Sequence, residues 1–385
     1  MTLPSVEKAN TRLLAIDALR GLVMAFMLVD HVRETFFLHL QVSDPVDAST
    51  ADPALFFTRL LSTFCAPVFV ALTGLSAWLY GQSHTKREIS VFLLKRGLFL
   101  VFLEITFVSF AWSAQFPPQT IWLQVIWAIG ISMIMLAALL HLPRTGQLIL
   151  GIIIVCGHNL LDDIIIAPDS PLYISWAMLH QRAAIELSSG LIIKTTYPVL
   201  PWIGVILLGY AMGPWFAHGT EPLGRIRHLW IVGGMMLITF AAVRYLNFYG
   251  DKPWFVAESS LRTVMSFLAL TKYPPSLLFL LPTLGTGLLL LALFERMRPH
   301  FILHQLAFLG GAPMFFYLLH LYVLKVLYLT ALALYGSTQG QYFSVDHILT
   351  VWLWAVILLP LLYFPTRWFA RMKQNQKDMA WMKYL

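Results

Sequence analysis

The stretch "IDALRGLVMAFMLVDHVRETFF", residues Ile16–Phe37, is apolar enough to cross a bilayer, yet it contains Asp17, Arg20, Asp30 and His31. A charged side chain near the centre of a spanning helix costs about 2.5–3.5 kcal/mol on insertion scales. Such residues usually face the interior of a helix bundle or a water-filled cavity, where they bind substrates or relay protons. The stretch therefore predicts a membrane helix with one functional face.

The whole chain has the composition of a polytopic membrane protein. Hydrophobic residues make up 58% of its 385 residues and charged residues only 12%, whereas a soluble domain carries about 25% charged residues. Lys and Arg residues in the loops that flank membrane helices explain the net charge of +7. We therefore expect membrane lipid as a partner and no nucleic acid.

Apolar runs close to the spanning length of about 20 residues recur along the sequence. They predict an all-α fold, a polytopic transmembrane helical bundle of about ten helices. We expect one integral-membrane domain over residues 1–385, with short cytoplasmic tails at 1–12 and 371–385, and no cleavable signal peptide. The runs lie at 13–31, 60–80, 91–112, 120–140, 146–166, 197–216, 228–247, 275–294, 308–334 and 348–369.

The distribution of positive charge predicts the orientation of these helices, because cytoplasmic loops are enriched in Lys and Arg. With the N-terminus inside, the inner segments hold 17 of the 26 Lys and Arg residues and the outer segments hold 8, and Lys325 falls within a helix. Both termini are thus predicted to be cytoplasmic, in a multi-pass protein of the inner (plasma) membrane. Long outer loops at 32–59, 167–196 and 248–274 favour a substrate site on the outer side.

Helical geometry places the polar groups of the first helix on one face. Arg20 and His31 differ by only about 20° around the axis, and Asp17 and His31 by about 40°. Asp17 can pair with Arg20 at the i,i+3 spacing, either as a structural ion pair or as part of a site. His31 is either an interfacial histidine or a general base, since neutral imidazole accepts protons near neutral pH. Asp30 lies about 100° from His31 and can reach a different helix.

The segment "RLLAIDALRGLVMAFMLVDHV" (Arg12–Val32) resembles the first helix of a superfamily of membrane acyltransferases. One branch is heparan-alpha-glucosaminide N-acetyltransferase and its bacterial relatives, and another is the bacterial O-acyltransferases of surface polysaccharides. The shared pattern is an acidic residue, Leu-Arg-Gly, and an apolar run that ends in His or Asn. Four further segments match in order, namely "TFCAPVFVALTGLSAWLYG" (63–81), "YPVLPWIGVILLGYAMG" (197–213), "TKYPPSLLFLLPTLG" (271–285) and "GGAPMFFYLLHLYVLK" (310–325).

The resemblance implies an enzyme that moves an acyl group, most simply acetyl, from cytoplasmic acyl-CoA to an amino sugar or glycan hydroxyl at the outer face. Acetyl-CoA is then the co-substrate. In the heparan branch the histidine lies in the loop after the first helix, where this chain has His39, and in the O-acyltransferases it lies at the position of His31. We favour His31 as the base, with His39 second and Asp30 as a further catalytic candidate.

Further residues are candidates for the donor and acceptor sites. Arg20, Asp17, His320 and Lys325 are candidates for binding the donor, although His320 can simply pack between helices and Lys325 can pair with Glu104 instead. The acceptor candidates are His180, Gln181 and Lys272; the alternatives are a solvated His180–Gln181 pair and an interfacial anchor at Lys272.

The sequence also bears on metal binding and on one alternative function. No metal is expected, because Asp162 and Asp163 lack further converging carboxylates or histidines in the sequence. The alternative to an acyltransferase is a multi-pass transporter or flippase of a small polar or lipid-linked substrate. Transporters often contain two related halves, and the chain contains no convincing internal duplication.

Overall fold

The structure is a computed structural model that describes residues 5–37, 46–187 and 189–375. Helices dominate this part of the chain, as the apolar runs predict. They are α1 (Ser5–Phe36), α2 (Pro53–Ser62), α3 (Cys65–Tyr80), α4 (Lys86–Leu103), α5 (Ser109–Ser113), α6 (Val125–Leu139), α7 (Arg144–Gly157), α8 (Tyr173–Leu179), α9 (Leu200–Ala211), α10 (Pro222–Leu246), α11 (Ser260–Leu268), α12 (Leu277–Arg296), α13 (Phe301–Gly310), α14 (Pro313–Tyr335) and α15 (Ile348–Asn375).

Local sequence explains where several helices begin. Asp52 caps α2 by accepting a hydrogen bond from the Leu55 amide at 3.0 Å. At α4, the Thr85 hydroxyl accepts from the Glu88 amide at 3.3 Å, and the Glu88 carboxylate accepts from the Thr85 amide at 2.8 Å. This reciprocal pair satisfies backbone donors that a helix N-terminus leaves without intrahelical partners.

Six helical segments in the described part of the chain are long and apolar enough to cross a membrane. They support a multi-pass helical membrane protein, while the number of about ten spans and the cytoplasmic termini stay predictions. The six are Pro53–Tyr80, Arg144–Leu161, Pro222–Leu246, Leu277–Arg296, Pro313–Tyr335 and Ile348–Lys373, and shorter apolar helices occupy Val125–Leu139, Leu200–Phe216 and Phe301–Gly310.

A small sheet interrupts the all-α pattern expected from the sequence. Strands β1 (Thr120–Leu123), β2 (Ala184–Glu186) and β3 (Ile192–Thr195) lie in the order β1-β3-β2, with β1 parallel and β2 antiparallel to β3. The apolar run at 120–140 therefore begins as a strand, and α6 starts only at Val125. Hydropathy did not reveal this, because the partner strand lies about 70 residues away and apolar runs do not distinguish strand from helix.

The chain divides into two compact units, one made of residues 1–65 and 290–385 and the other of residues 66–289. In the first unit, α1 packs against α2, α13, α14 and α15. The crossing of α1 and α13 is unusually close: a Cβ on Gly21 would lie 2.0 Å from the Leu306 carbonyl oxygen, and a Cβ on Gly310 would lie 1.9 Å from that of Asp17. Small residues allow such backbone contact in membrane bundles.

The second unit pairs α4 with α6 and α7 with α9. The Ser90 hydroxyl donates to the Ala137 carbonyl at 2.6 Å, and Arg144 Nε donates to the Ala211 carbonyl at 3.1 Å. Glu104, which is fully buried in a π-helical turn after α4, accepts a hydrogen bond from the Trp127 amide at 2.8 Å. The glutamate thereby satisfies one of the backbone donors that the start of α6 leaves without a helical partner.

Candidate active site

Two histidines meet in the first unit, one from α1 and one from α14. His31 Nδ1 lies 2.6 Å from His320 Nε2, and the two rings stack at a centroid distance of 4.9 Å with 11° between their planes. His320 is completely buried, and His31 is partly buried. The sequence singled out both residues for different roles, and the fold brings them together across 289 positions.

The hydrogen bonds of His320 set the tautomers of the pair. His320 Nδ1 lies 2.7 Å from the Phe316 carbonyl oxygen, which can only accept, so Nδ1 carries the proton. In neutral His320 the Nε2 atom then has a lone pair and accepts from His31 Nδ1. Neutral His31 consequently carries its own lone pair on Nε2, the nitrogen that can accept a proton.

Aromatic side chains of α14 pack against this pair of histidines. The Tyr317 ring lies edge-on to His31 at 6.0 Å and to His320 at 5.6 Å, and the Phe316 ring stacks on His320 at 5.2 Å. Residues 316, 317 and 320 fall on one side of α14 because helical neighbours are three or four positions apart. These contacts hold the imidazoles in one orientation.

A buried network of charges lies next to the pair, at the C-terminal end of α1. Asp30 accepts from Arg33 Nε at 3.0 Å and Nη2 at 2.7 Å, and from Arg59 Nη1 at 3.3 Å. Arg33 Nη2 also contacts Glu34 at 3.2 Å. Asp30 thus reaches α2, a different helix, as its angle around α1 allowed. The Arg33 contact has an i,i+3 spacing that the sequence displays, whereas no sequence signal pointed to Arg59.

The predicted donor residues lie on the two helices that carry the histidines. Arg20 Nη1 contacts Asp17 Oδ1 at 2.6 Å, which confirms the predicted pairing, and both side chains are partly exposed. Along α1, Arg20 lies about 16 Å and Asp17 about 21 Å from His31. On α14, Lys325 Nζ lies 5.8 Å from the centre of the Tyr328 ring.

The other predicted site residues lie elsewhere. His39 falls in segment 38–45, outside the described residues. In the second unit, Gln181 Oε1 accepts from the Ile166 amide at 3.0 Å, and buried Lys272 places Nζ 5.3 Å from the centre of the Tyr273 ring. His180 is buried rather than solvated, because the chain folds it back onto the end of α7.

His180 belongs to a cluster with two residues from the end of α7. Its Nε2 lies 3.3 Å from His158 Nδ1 and 3.6 Å from Asp162 Oδ1. Burial lowers the pKa of the His180 imidazole, an effect that the carboxylate of Asp162 partly offsets, and burial raises the pKa of the Asp162 carboxyl. Both shifts disfavour the charged forms. The sequence drew attention to Asp162 but did not indicate that it lies close to His180.

The spans and the buried polar side chains define a multi-pass helical membrane protein with a histidine site among its helices. The family model described as heparan-alpha-glucosaminide N-acetyltransferase, catalytic, matches residues 12–249. This range covers more than half of the chain, and the chain belongs to that family. No curated protein matches the chain.

Family membership assigns the chain an acetyltransferase type of activity. His31, Asp30 and Arg20 fall inside the matched range, and His320 lies beyond it. His320 is therefore singled out by its contact with His31 in the structure and not by the family match.

Proposed function

We propose that the protein transfers an acetyl group from cytoplasmic acetyl-CoA to an amino sugar or glycan hydroxyl at the outer face of the inner membrane. His31 is the general base of this reaction. The observation that carries the proposal is the His31–His320 pair, whose hydrogen bonds present Nε2 of His31 as the proton acceptor. A neutral imidazole with a fixed tautomer suits this role near neutral pH.

The transfer follows from this arrangement. As the acceptor amine or hydroxyl attacks the acetyl carbonyl carbon, Nε2 of His31 takes its proton. The new bond to carbon forms while the carbon–sulfur bond of the thioester breaks, and His31 returns the proton to the departing CoA thiolate. His320 is a positioning residue, because its Nε2 accepts from His31 Nδ1 and so keeps the other nitrogen unprotonated.

The surrounding charges have separate roles in this proposal. Asp30 binds Arg33 of its own helix and Arg59 of α2, and so fixes the helix turn that carries His31. Arg20, held by Asp17, offers positive charge to the phosphates of the donor, and the donor contact expected at Lys325 stays a prediction. Relative to His31, Arg20 lies on the side that the charge distribution predicts to be cytoplasmic. The acceptor contacts expected at His180, Gln181 and Lys272 stay predictions.

The role of His31 is tested by acetyl transfer from radiolabelled acetyl-CoA to candidate amino sugars with purified protein in detergent. Removing a general base typically costs 10²–10⁴-fold in rate, so His31→Ala should lose at least about a hundredfold. Exposed His347 provides a matched control, and His347→Ala should keep the wild-type rate. If His39→Ala abolishes transfer and His31→Ala does not, the loop histidine is the base and the assignment is wrong.

The positioning role of His320 has its own test. His320→Ala should lower kcat more than it changes KM for acetyl-CoA, since the residue acts through His31. His320→Gln should recover part of the rate, because its side-chain carbonyl can still accept from His31 Nδ1. Equal loss in the two variants would contradict a role of His320 in accepting the hydrogen bond from His31.

The donor is tested separately by thermal unfolding. A ligand at a hundredfold excess over its Kd stabilises the folded state by about 2.7 kcal/mol, so acetyl-CoA should raise the Tm. Absence of any shift at millimolar acetyl-CoA would contradict the donor assignment and favour the transporter alternative.

A further inference from the structure

The cluster of His158, Asp162 and His180 combines side chains that transition metals bind. Each residue offers one ligand atom, and the three atoms lie within 4.8 Å of one another. His158 opens the 3₁₀ turn that continues α7 (His158–Leu161), Asp162 follows that turn, and His180 caps the C-terminus of α8. Two imidazoles and one carboxylate form a ligand set suited to Zn²⁺.

Two of the three distances between the ligand atoms match the edges of a tetrahedral zinc site, and the third pair lies within 4.8 Å. The separation of 3.3 Å between His158 Nδ1 and His180 Nε2 exceeds the usual hydrogen-bond distance of about 2.9–3.0 Å. Two ligands bound to Zn²⁺ at about 2.0–2.1 Å with tetrahedral angles lie about 3.3–3.4 Å apart. The distance from His180 Nε2 to Asp162 Oδ1 is 3.6 Å, close to the same edge length.

Neighbouring groups orient the carboxylate of Asp162. Asn159 Nδ2 donates to Asp162 Oδ2 at 2.8 Å, which leaves Oδ1 as the oxygen on the His180 side. Asn159 is itself fixed, because its Oδ1 accepts from the Leu277 amide at 2.8 Å. Outer contacts of this kind are typical of metal sites, where they fix the orientation of the ligands.

We propose that His158, Asp162 and His180 bind one divalent transition-metal ion of the Zn²⁺ class, with water at the fourth position. The two histidines are buried, and the Asp162 side chain is 45% exposed. The ion can therefore enter from the side of the carboxylate. Bound there, it links the end of α7 to the segment that carries α8 and stabilises this part of the second unit.

Metal content and spectroscopy test the site directly on the full-length, tag-free protein in detergent. After chelation and removal of the chelator, wild type should bind one equivalent of Zn²⁺. It should also give the visible absorption of tetrahedral Co²⁺ when Co²⁺ is added. Zn²⁺ should raise the Tm, whereas Mg²⁺, which prefers oxygen ligands, should not.

Substitutions test whether these three residues bind the metal. Asp162→Asn, a conservative change at an exposed position, should weaken Zn²⁺ binding at least tenfold, and His180→Ala should abolish it and the Tm shift. His218→Ala removes an exposed histidine of the same unit and should bind like wild type. Wild-type protein that binds no Zn²⁺, or the His180→Ala variant retaining one equivalent with the same Co²⁺ spectrum, would overturn the proposal.

Discussion

The close crossing of α1 and α13 predicts that adding a single methyl group to α1 will destabilise the protein. In Gly21→Ala the new Cβ would lie 2.0 Å from the Leu306 carbonyl oxygen, whereas Cβ contacts in real structures stay above 3.0 Å. The helices must therefore separate by about 1 Å, since the atom contacted is backbone and cannot rotate away. Gly310→Ala meets the Asp17 carbonyl oxygen at 1.9 Å and should behave in the same way.

Two opposing free-energy contributions set how much Gly21→Ala changes the stability. Alanine is favoured over glycine in a helix by about 0.5–1 kcal/mol. Overpacking a tight contact typically costs about 1–3 kcal/mol. Because the clash involves rigid backbone, the upper part of that range applies, and we expect Gly21→Ala to destabilise the protein by about 1–2 kcal/mol.

The same displacement bears on the histidine pair. A shift of α1 by about 1 Å along the His31–His320 direction would stretch their 2.6 Å contact to about 3.6 Å, beyond a real hydrogen bond. Acetyl transfer by Gly21→Ala should therefore fall even under conditions in which the variant remains folded. Tm measurements in detergent and acetyl-transfer assays on the same preparation separate the two effects.

A matched glycine elsewhere gives the control. Gly234, within α10, has open space around the position of a Cβ. Gly234→Ala should therefore gain the helix preference of about 0.5–1 kcal/mol without a clash. The two substitutions are chemically identical and should have opposite signs. A Tm for Gly21→Ala at or above that of wild type would refute the close crossing.

Three more outcomes can be measured. Asp30→Ala should cost about 3–5 kcal/mol, seen as a lower Tm, because it leaves two buried arginines without their shared carboxylate; an unchanged Tm would contradict the network. Glu104→Gln should have a Tm near that of wild type, since its amide oxygen can still accept from the Trp127 amide. Glu104→Leu should lower the stability by about 1–3 kcal/mol; equal Tm values for the two variants would contradict this role of Glu104. Cysteine placed at Ser49 should react with an impermeant maleimide in intact cells and cysteine at Lys86 should not; the reverse labelling would overturn the orientation.

The sequence alone determined the features that depend on short stretches of chain. A helix that crosses a membrane must be apolar over about 20 residues and satisfies its own backbone hydrogen bonds. Hydropathy therefore predicted the helical membrane class, and each apolar run contains a helix in the structure. The Asp17–Arg20 pair was predictable for the same reason, since its partners lie one helical turn apart.

Tertiary structure decided every contact between distant parts of the chain. His31 and His320 are 289 positions apart, and periodicity within either helix does not indicate which face meets the other. Asp30 contacts Arg59 on α2, and β1 pairs with β3, only once the chain is folded. His158 and Asp162 are close in sequence just after α7, whereas His180 reaches them through an intervening turn and helix. The hydrophobicity of a segment is a property of that segment alone, whereas contacts between polar groups on different segments depend on how all the segments pack together.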